Sequence, residues 1–231
     1  MEFREIVAPS LKELFVQQLE GMILSGQLRP GDKLPTEREL ADAMKVSKTV
    51  VHDGLRELHR LGFLDIVSRK GVTVADYAQT GSLDTLMAIM RYHGGLPDKK
   101  TAESILKLRY YLEGPAMELL AAHHTPADMA ALEDLQRQAE ESAQDTAAFA
   151  EALFRYHRGV TFLSGNTITP LIFNAFTQVN LEFWREYVEA YGVEACLDTL
   201  HRFTELIRER QGAEAAALLK NGLERFQQDR V

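Results

Sequence analysis

Two short helical patterns that follow each other almost without a break constrain the fold of this chain most strongly. The first begins at Thr36, an N-cap residue followed three positions later by Glu39, which is the arrangement of a capping box. After only a two-residue turn, Ser47 is placed to cap a second helix that runs to about Arg60. Helices joined by so short a turn are typical of a helix-turn-helix unit.

The segments on either side extend this unit. Apolar residues at helical spacing predict a helix over 11–24, and the Pro-Gly and Leu-Pro pairs of 28–35 indicate a turn and an extended segment. After Gly62, the stretches 63–67 and 72–75 read as the strands of a hairpin whose polar turn is 68–71. Because an isolated hairpin is only marginally stable, it should pack against the helices, as in a winged helix-turn-helix.

The remainder of the chain shows only helical patterns, so the fold class is mainly α. We predict a winged helix-turn-helix domain over 1–76, a linker over 77–81 and an all-α bundle over 82–231. Turn signals divide the bundle into about seven helices: 82–93, 101–123, 126–143, 146–163, 167–190, 193–211 and 213–229.

Composition sets further limits. The single cysteine, Cys196, excludes an internal disulfide and a cysteine-based zinc cluster. The chain shows no signal-peptide pattern and no run of about 18 apolar residues, so we expect a cytoplasmic protein that does not enter a membrane. The net charge is −8, but residues 1–76 carry 11 Lys and Arg against 12 Asp and Glu, and 29–71 carry 9 against 7. The acidity therefore lies in the second part and does not exclude double-stranded DNA as a partner.

The 47–60 helix is the one expected to read DNA, since the second helix of such a unit enters the major groove near its N-terminus. Arg38 reaches the same groove or its phosphates, Arg56 meets phosphate or a carboxylate such as Asp53, and the hairpin tip enters the minor groove or grips its backbone. Any one of these cations alone could be a solvated surface charge, and it is their convergence on one side that indicates DNA. The predicted DNA-binding residues are Arg38, Ser47, Lys48, Thr49, His52, Arg56, Arg69, Lys70 and Gly71.

The string GQLRPGDKLPTERELADAMKVSKTVVHDGLRELHRLGFLDI, with the later KGVTV, resembles the DNA-binding domain of the GntR family over nearly all of 9–75. The resemblance implies a regulator of transcription. The family usually has Arg where this chain has Lys48 and His52, so the bidentate contact of Arg with guanine is lost at both positions. Gly54 replaces the usual Ala, which weakens the helix unless it allows a close approach of another helix.

Three polar residues fall on otherwise apolar helix faces of the second domain. A buried Arg109 needs an anionic partner, and either Glu113, one turn away, or a carboxylate ligand would satisfy it. His157 and His201 are open to two interpretations, as hydrogen-bonded core histidines or as ligand-binding groups.

The segments LRYYLEGPAMELLAAHH, FAEALFRYHRGVTFLSGN and LHRFTELIRERQGAEAA resemble the FCD effector domain of the FadR subfamily. Many such domains hold a metal with one Asp and three His, followed by an organic acid. His157 and His201 match two of these ligands and are the candidate metal residues, but Leu153 stands where the Asp belongs and no His lies near Gly222. The resemblance therefore favours the metal-free branch, whose effector is an acyl-CoA. The effector-binding residues that we predict are Arg109, Glu113, Tyr156, His157, Asn166 and His201.

We therefore expect a homodimeric regulator, with repression the commoner mode in the resembled family and activation the alternative. It would bind a pseudo-palindromic operator and respond to a carboxylate-bearing metabolite or an acyl-CoA, with no cofactor assigned. Regulation by a divalent metal with a small organic acid is the alternative. A function of another class, a metal-dependent enzyme built on His93, His123, His124, His157 and His201, is disfavoured because no nucleophile and base pair is identifiable.

Overall fold

The computed structural model describes residues 8–67, 71–92 and 99–229 and divides into two compact units, Met1–Gly95 and Leu96–Val231. The N-terminal unit contains α1 (Leu11–Leu24), α2 (Glu37–Met44), α3 (Lys48–Arg60), β1 (Leu64–Val67), β2 (Gly71–Val74), α4 (Tyr77–Thr80) and α5 (Leu83–Tyr92). The helix-turn-helix and the hairpin predicted from the sequence are confirmed.

Side-chain caps begin the three helices of the helix-turn-helix. Ser10 and Thr36 each form a complete capping box, with Glu13 and Glu39 respectively. The Ser47 hydroxyl accepts a hydrogen bond from the Val50 N–H at 3.2 Å. Between α2 and α3, Lys45 adopts left-handed backbone angles (φ 56°, ψ 40°), a conformation that ends α2 sharply and turns the chain into α3.

The hairpin gains a third, short extended partner. β1 and β2 are antiparallel with Leu64 opposite Val74, and the segment before α2 joins β2 through a bridge between Lys33 and Thr73. The Leu34 N–H donates to the Val72 carbonyl at 2.9 Å. The hairpin, which corresponds to the predicted wing, is thus tied by backbone hydrogen bonds to the segment that leads into α2. Arg69 and Lys70 lie outside the described residues.

The core of this unit lies between α1, α3 and the hairpin. Phe15 of α1 is buried against Gly54 of α3, where a methyl group in place of the glycine hydrogen would lie only 2.7 Å from Phe15 Cε1. Gly54 therefore allows the Phe15 ring to pack directly on the backbone of α3. This packing offsets the weak helix propensity of glycine.

The helix after the hairpin packs with the N-terminal unit. The buried Thr85 hydroxyl of α5 donates to the Leu61 carbonyl at 2.7 Å, and Arg60 contacts Asp84 at 2.8 Å. The 77–81 segment predicted as a linker contains α4, whose Tyr77 ring packs edge-on against Phe63. The compact units divide between Gly95 and Leu96, so α5, which we expected in the second domain, belongs by its contacts to the first.

The second unit is all helical: α6 (Lys99–His123), α7 (Pro126–Glu141), α8 (Thr146–Leu163), α9 (Thr169–Ala175), α10 (Thr177–Tyr191), α11 (Val193–Arg208) and α12 (Gly212–Asp229). α6 packs along α12 and against α8, and α8 also packs against α7 and α10. The close approach of α12 to α6 occurs at Gly212, where a methyl group would lie 2.7 Å from Glu118 Cα.

The helix predicted over 167–190 is two helices in the structure. The break falls at the buried Phe176, whose N–H donates to the Phe173 carbonyl three residues back instead of continuing the four-residue spacing. The Thr177 hydroxyl also donates to the Asn174 carbonyl at 2.7 Å. Within the described ranges, no helix is long and apolar enough to cross a membrane.

Replacing Gly54 with Ala should destabilise the N-terminal unit, because the new methyl group meets the Phe15 ring. We expect the free energy of unfolding to fall by about 1–2 kcal/mol, since the overpacking exceeds the gain in helix propensity. Urea denaturation, with hydrogen exchange of the α1 and α3 amides to localise the effect, measures this change. In a Phe15→Leu background the same substitution should cost less, and a Gly54→Ala variant more stable than wild type would contradict the packing argument.

Candidate functional site

The first turns of α3 present the DNA-reading residues predicted from the sequence. Lys48 and Thr49 are exposed on the first turn, and Arg56 is exposed two turns further along. The Ser47 hydroxyl is engaged in capping, so its contribution to this face is to fix where α3 begins and hence where Lys48 and Thr49 lie.

His52 makes a specific contact across the helix-turn-helix. Its Nδ1 lies 2.9 Å from Glu37 Oε1, and the two side chains are 52% and 47% exposed. Glu37 is the first residue of α2 and is followed by the exposed Arg38. The structure therefore places Arg38 and His52 on neighbouring helices and pairs His52 with Glu37, the residue that precedes Arg38. This pairing was not predicted from the sequence.

Lys33 lies beside the hairpin, at the base of the predicted wing. The sequence did not predict this position for it. Gly71 opens β2 with a φ of +100°, and a methyl group on it would lie 3.2 Å from Lys33 Cε. Gly71 thus permits a left-handed turn out of the wing and a close approach of Lys33. The position of Lys33 could have been found from the Pro-Gly turn that precedes it, because this turn directs the chain back towards the hairpin.

The helical unit contains a cavity of about 30 Å³ between α6, α8, α10, α11 and α12. Its walls are mainly apolar and include Leu153, Phe183, Trp184, Phe203 and Phe226, with Arg109 and His157 among the polar lining residues. Because one water molecule needs roughly 10–15 Å³ measured in this way, the cavity holds about two. A larger ligand requires the walls to move.

Arg109, Glu113 and His157 form a buried chain of charge and hydrogen bonds beside this cavity. The Arg109 Nε donates to Glu113 Oε1 at 2.7 Å, and His157 Nδ1 donates to Glu113 Oε2 at 2.7 Å. The three residues are 4%, 0% and 1% exposed. Glu113, one of the two partners that the sequence left open for Arg109, therefore pairs with its Nε and also accepts from His157.

The carboxylate of Glu113 dominates the protonation states of this chain. Burial alone would raise its pKa, but the Arg109 guanidinium and His157 outweigh burial and lower the pKa to about 2. Burial lowers the pKa of His157, and the attraction of Glu113 opposes this effect without overcoming it. At neutral pH the imidazole is therefore uncharged, and its Nδ1 carries the proton that it donates to Glu113.

Two hydrogen-bond donors in the cavity wall find no acceptor among the described residues. They are Arg109 Nη2 and Trp184 Nε1, both fully buried. The Arg109 guanidinium carbon lies 4.8 Å from the centroid of the Trp184 ring, so the two donors belong to stacked groups. An unpaired buried donor costs about 1–3 kcal/mol. An acceptor that reached these two donors would remove that cost.

The other predicted effector residues lie elsewhere. The buried Tyr156 hydroxyl bonds to the Thr204 hydroxyl at 2.9 Å, and Asn166 Oδ1 accepts from the Ile168 and Thr169 N–H groups in the turn before α9. The His201 Nε2 contacts Glu140 at 2.8 Å on the surface and does not join His157. Trp184 was missed by the sequence analysis, because an aromatic residue at helical spacing looks like ordinary core.

These residues do not fit the metal site of the resembled subfamily. Leu153 and Gly222, which occupy the positions expected for two of the ligands, both line the cavity, but neither provides a ligand atom. His157 Nδ1 is committed to Glu113, and no group of three His, Cys, Asp or Glu in the described part of the chain could hold a metal. Two imidazoles that lie apart are too few for a transition metal.

Two family profiles match the chain. Residues 11–74 match "Bacterial regulatory proteins, gntR family" and residues 104–225 match "FCD domain". The first match covers the helix-turn-helix and hairpin, and the second covers most of the helical unit with its cavity.

Several regulators are similar in sequence over most of their length. The chain is 30% identical to the fatty acid metabolism regulator protein of Escherichia fergusonii over 193 residues, which are 83% of this chain and 77% of that protein. It is 27% identical to the transcriptional regulator Mce2R of Mycobacterium tuberculosis over 76% of this chain and 72% of that protein. LutR of Bacillus subtilis is 24% identical over 86% of this chain and 91% of its own.

A solved structure described as Lar, which controls the agr system of Listeria monocytogenes, has a similar fold. The TM-score is 0.59 with 15% sequence identity, and the alignment covers 96% of this chain and 97% of that chain.

The pH dependence of stability should reveal the buried Glu113. Because its folded pKa is about 2 against an ordinary value of 4.5, the unfolded chain binds more protons between these values, so stability falls as the pH drops through this window. Glu113→Gln should lack this slope and should lose about 3–5 kcal/mol at neutral pH, since Arg109 remains buried without a counter-charge. Chemical denaturation at a series of pH values measures both effects.

Glu118→Gln is the matched control, since it removes a carboxylate from the exposed face of the same helix. It should keep the slope of the wild type. An identical acid response of the Glu113→Gln variant and the wild type would show that Glu113 is not the group responsible.

Proposed function

Because the chain belongs to the GntR family of bacterial transcriptional regulators and carries an FCD domain, we propose that it represses transcription as a homodimer on a pseudo-palindromic operator. We further propose that it leaves the operator when a small carboxylate with an apolar body enters the helical domain. The family and its named relatives make the chain a ligand-responsive DNA-binding regulator. A location in the bacterial cytoplasm is part of the proposal. Dimerisation, repression and the identity of the effector are the other proposed parts.

The DNA half of the proposal is supported by the exposed first turns of α3. Lys48, Thr49 and His52 meet base edges, while Arg38 and Arg56 meet phosphates on either side, with Lys33 at the base of the wing. In a two-fold dimer, two such helices would enter successive major grooves about 34 Å apart. The wing residues Arg69 and Lys70 would extend the contact to the adjacent minor groove or its backbone.

The proposal that the helical domain binds a carboxylate rests on one observation. Arg109 Nη2 is fully buried and has no hydrogen-bond partner among the described residues. Glu113 accepts from Arg109 Nε and so fixes the orientation of the guanidinium. The direction of Nη2 is therefore set by this buried ion pair. A carboxylate would accept from Nη2 with one oxygen and from Trp184 Nε1 with the other. Glu113 and His157 therefore act as positioning residues, and Arg109 and Trp184 as the ligand donors.

The chemistry of the walls favours a simple carboxylic acid over an acyl-CoA. The apolar lining accommodates an apolar body, but several phosphate charges of a coenzyme A moiety would be buried against a single guanidinium already paired with Glu113. The relative from E. fergusonii is named for fatty acid metabolism, so acyl-CoA is the competing effector that the experiment must include. We propose that this domain is a sensor and not an enzyme. Glu113 and His157 are bonded within the buried chain, and the groups left without partners, Arg109 Nη2 and Trp184 Nε1, are hydrogen-bond donors suited to binding.

Selection from a random DNA library should enrich a pseudo-palindromic site. Lys48→Ala should weaken binding to that site by about tenfold, as expected for the loss of one contact to DNA. Lys220→Ala, which removes an exposed lysine from the helical unit, is the control and should bind as wild type does. A failure to enrich any two-fold site would overturn the operator assignment.

A thermal-shift panel of short and medium carboxylic acids, acyl-CoAs, and divalent metals with dicarboxylates tests the effector. Simple carboxylates should stabilise the protein, and Trp184→Phe should weaken their binding about tenfold or more through loss of one hydrogen bond to a charged group. Arg109→Lys keeps the charge beside Glu113 but not the planar donor pair, and should abolish the shift.

Thr199→Val provides the matched control, because the Thr199 side chain lines the same cavity while its hydroxyl donates to the Ala195 carbonyl. This variant should bind as wild type does. Stabilisation by acyl-CoA alone, or by metal with a dicarboxylate alone, would contradict the proposed carboxylate effector.

A further inference from the structure

We propose that Glu37 and His52 act as one base-reading unit, in which His52 selects a base that presents an amino group in the major groove, adenine or cytosine, and Glu37 fixes which nitrogen of the imidazole accepts. This inference rests on the proposed operator binding by α3. It assigns His52 a definite base preference and Glu37 a positioning role.

The contact joins two helices across the turn. Glu37 is the first residue of α2 and His52 lies on the second turn of α3, and the left-handed Lys45 folds the helices so that the two side chains meet. The distance from His52 Nδ1 to Glu37 Oε1 is 2.9 Å, while about half of each side chain remains exposed. The imidazole is therefore held on one edge and open on the other.

The chemistry of the carboxylate determines which nitrogen carries the proton. An ionised carboxylate only accepts hydrogen bonds, so a bonded Nδ1 must be the donor. In the neutral imidazole, Nε2 then has a lone pair and no hydrogen. The ring nitrogen opposite the Glu37 contact is thus a hydrogen-bond acceptor.

An acceptor in the major groove has few partners. Adenine N6 and cytosine N4 are the donors on the base edges, whereas guanine N7 and O6 and thymine O4 are acceptors that would repel a bare lone pair. The arginine usual at this position in the resembled family has only donors and suits guanine. His52 with Glu37 therefore reverses the preference, from a base that accepts to a base that donates.

The contact between Glu37 and His52 is not needed to stabilise the fold. Exposed ion pairs typically contribute little to stability, so replacing Glu37 should leave the fold intact. The capping box of α2 uses Thr36 and Glu39 and does not involve the Glu37 side chain. A change at Glu37 therefore reports on base selection and not on the integrity of the helix.

The test is selection of operator sequences by the full chain at roughly pH 8, where imidazole side chains are generally neutral. The wild type should favour adenine or cytosine by roughly tenfold at one symmetric position of each half-site. His52→Arg should change that position to guanine. Glu37→Gln should reduce the preference to less than about threefold while the rest of the site is retained, because a glutamine amide can donate to Nδ1 and leave the proton on Nε2.

Asp42→Asn is the matched control, since it removes one negative charge from the exposed face of the same helix. It should keep the preference of the wild type. Guanine at this position in the wild type, or an unchanged preference in Glu37→Gln, would overturn the inference while leaving the operator function in place. If no variant enriched a two-fold site, the operator function would be wrong and the inference with it.

Discussion

The rest of the helical unit depends on one buried carboxylate. Glu113 accepts from Arg109 on its own helix and from His157 on α8, so a single negative charge compensates the guanidinium, fixes the imidazole proton and joins two helices. A charged group in this position is tolerated only because both of its oxygens are bonded. The same arrangement holds the guanidinium in a fixed orientation with one nitrogen unused. The stability of the unit and the proposed recognition of a ligand would therefore depend on the same carboxylate, and an acidic pH that weakens one should weaken the other.

Local features of the fold were predictable from the sequence, and non-local ones were not. Thr36 and Glu39 lie three residues apart, so the start of α2 follows from adjacent chemistry, and the hairpin follows from its alternation and its glycine turn. The docking of α5 depends on a hydrogen bond between Thr85 and the Leu61 carbonyl, 24 residues apart, which no periodicity reveals. The break at Phe176 was likewise hidden, because the apolar pattern continues through it while the backbone changes its hydrogen bonding.

The candidate site shows the same division. Arg109 and Glu113 are four residues apart on one helix face, so their pairing could be predicted. His157 was identified as unusual, but its partner is 44 residues away and only the fold brings them together. His201 looked equivalent in sequence, yet α7 supplies Glu140 at the surface and satisfies it there. Trp184 escaped notice because its indole N–H becomes informative only when its surroundings leave the N–H without an acceptor.

The small volume of the cavity has a consequence for the concentration at which the regulator responds. Space for about two water molecules means that the proposed carboxylate effector would bind here only when the walls of the cavity move apart. The apparent dissociation constant would then be the intrinsic constant divided by the fraction of molecules whose walls have separated. If the proposed effector binds in this cavity, the packing of Leu153, Phe203 and their neighbours would set the effector concentration at which the regulator responds. Substitution of wall residues that do not contact the carboxylate would then change that concentration.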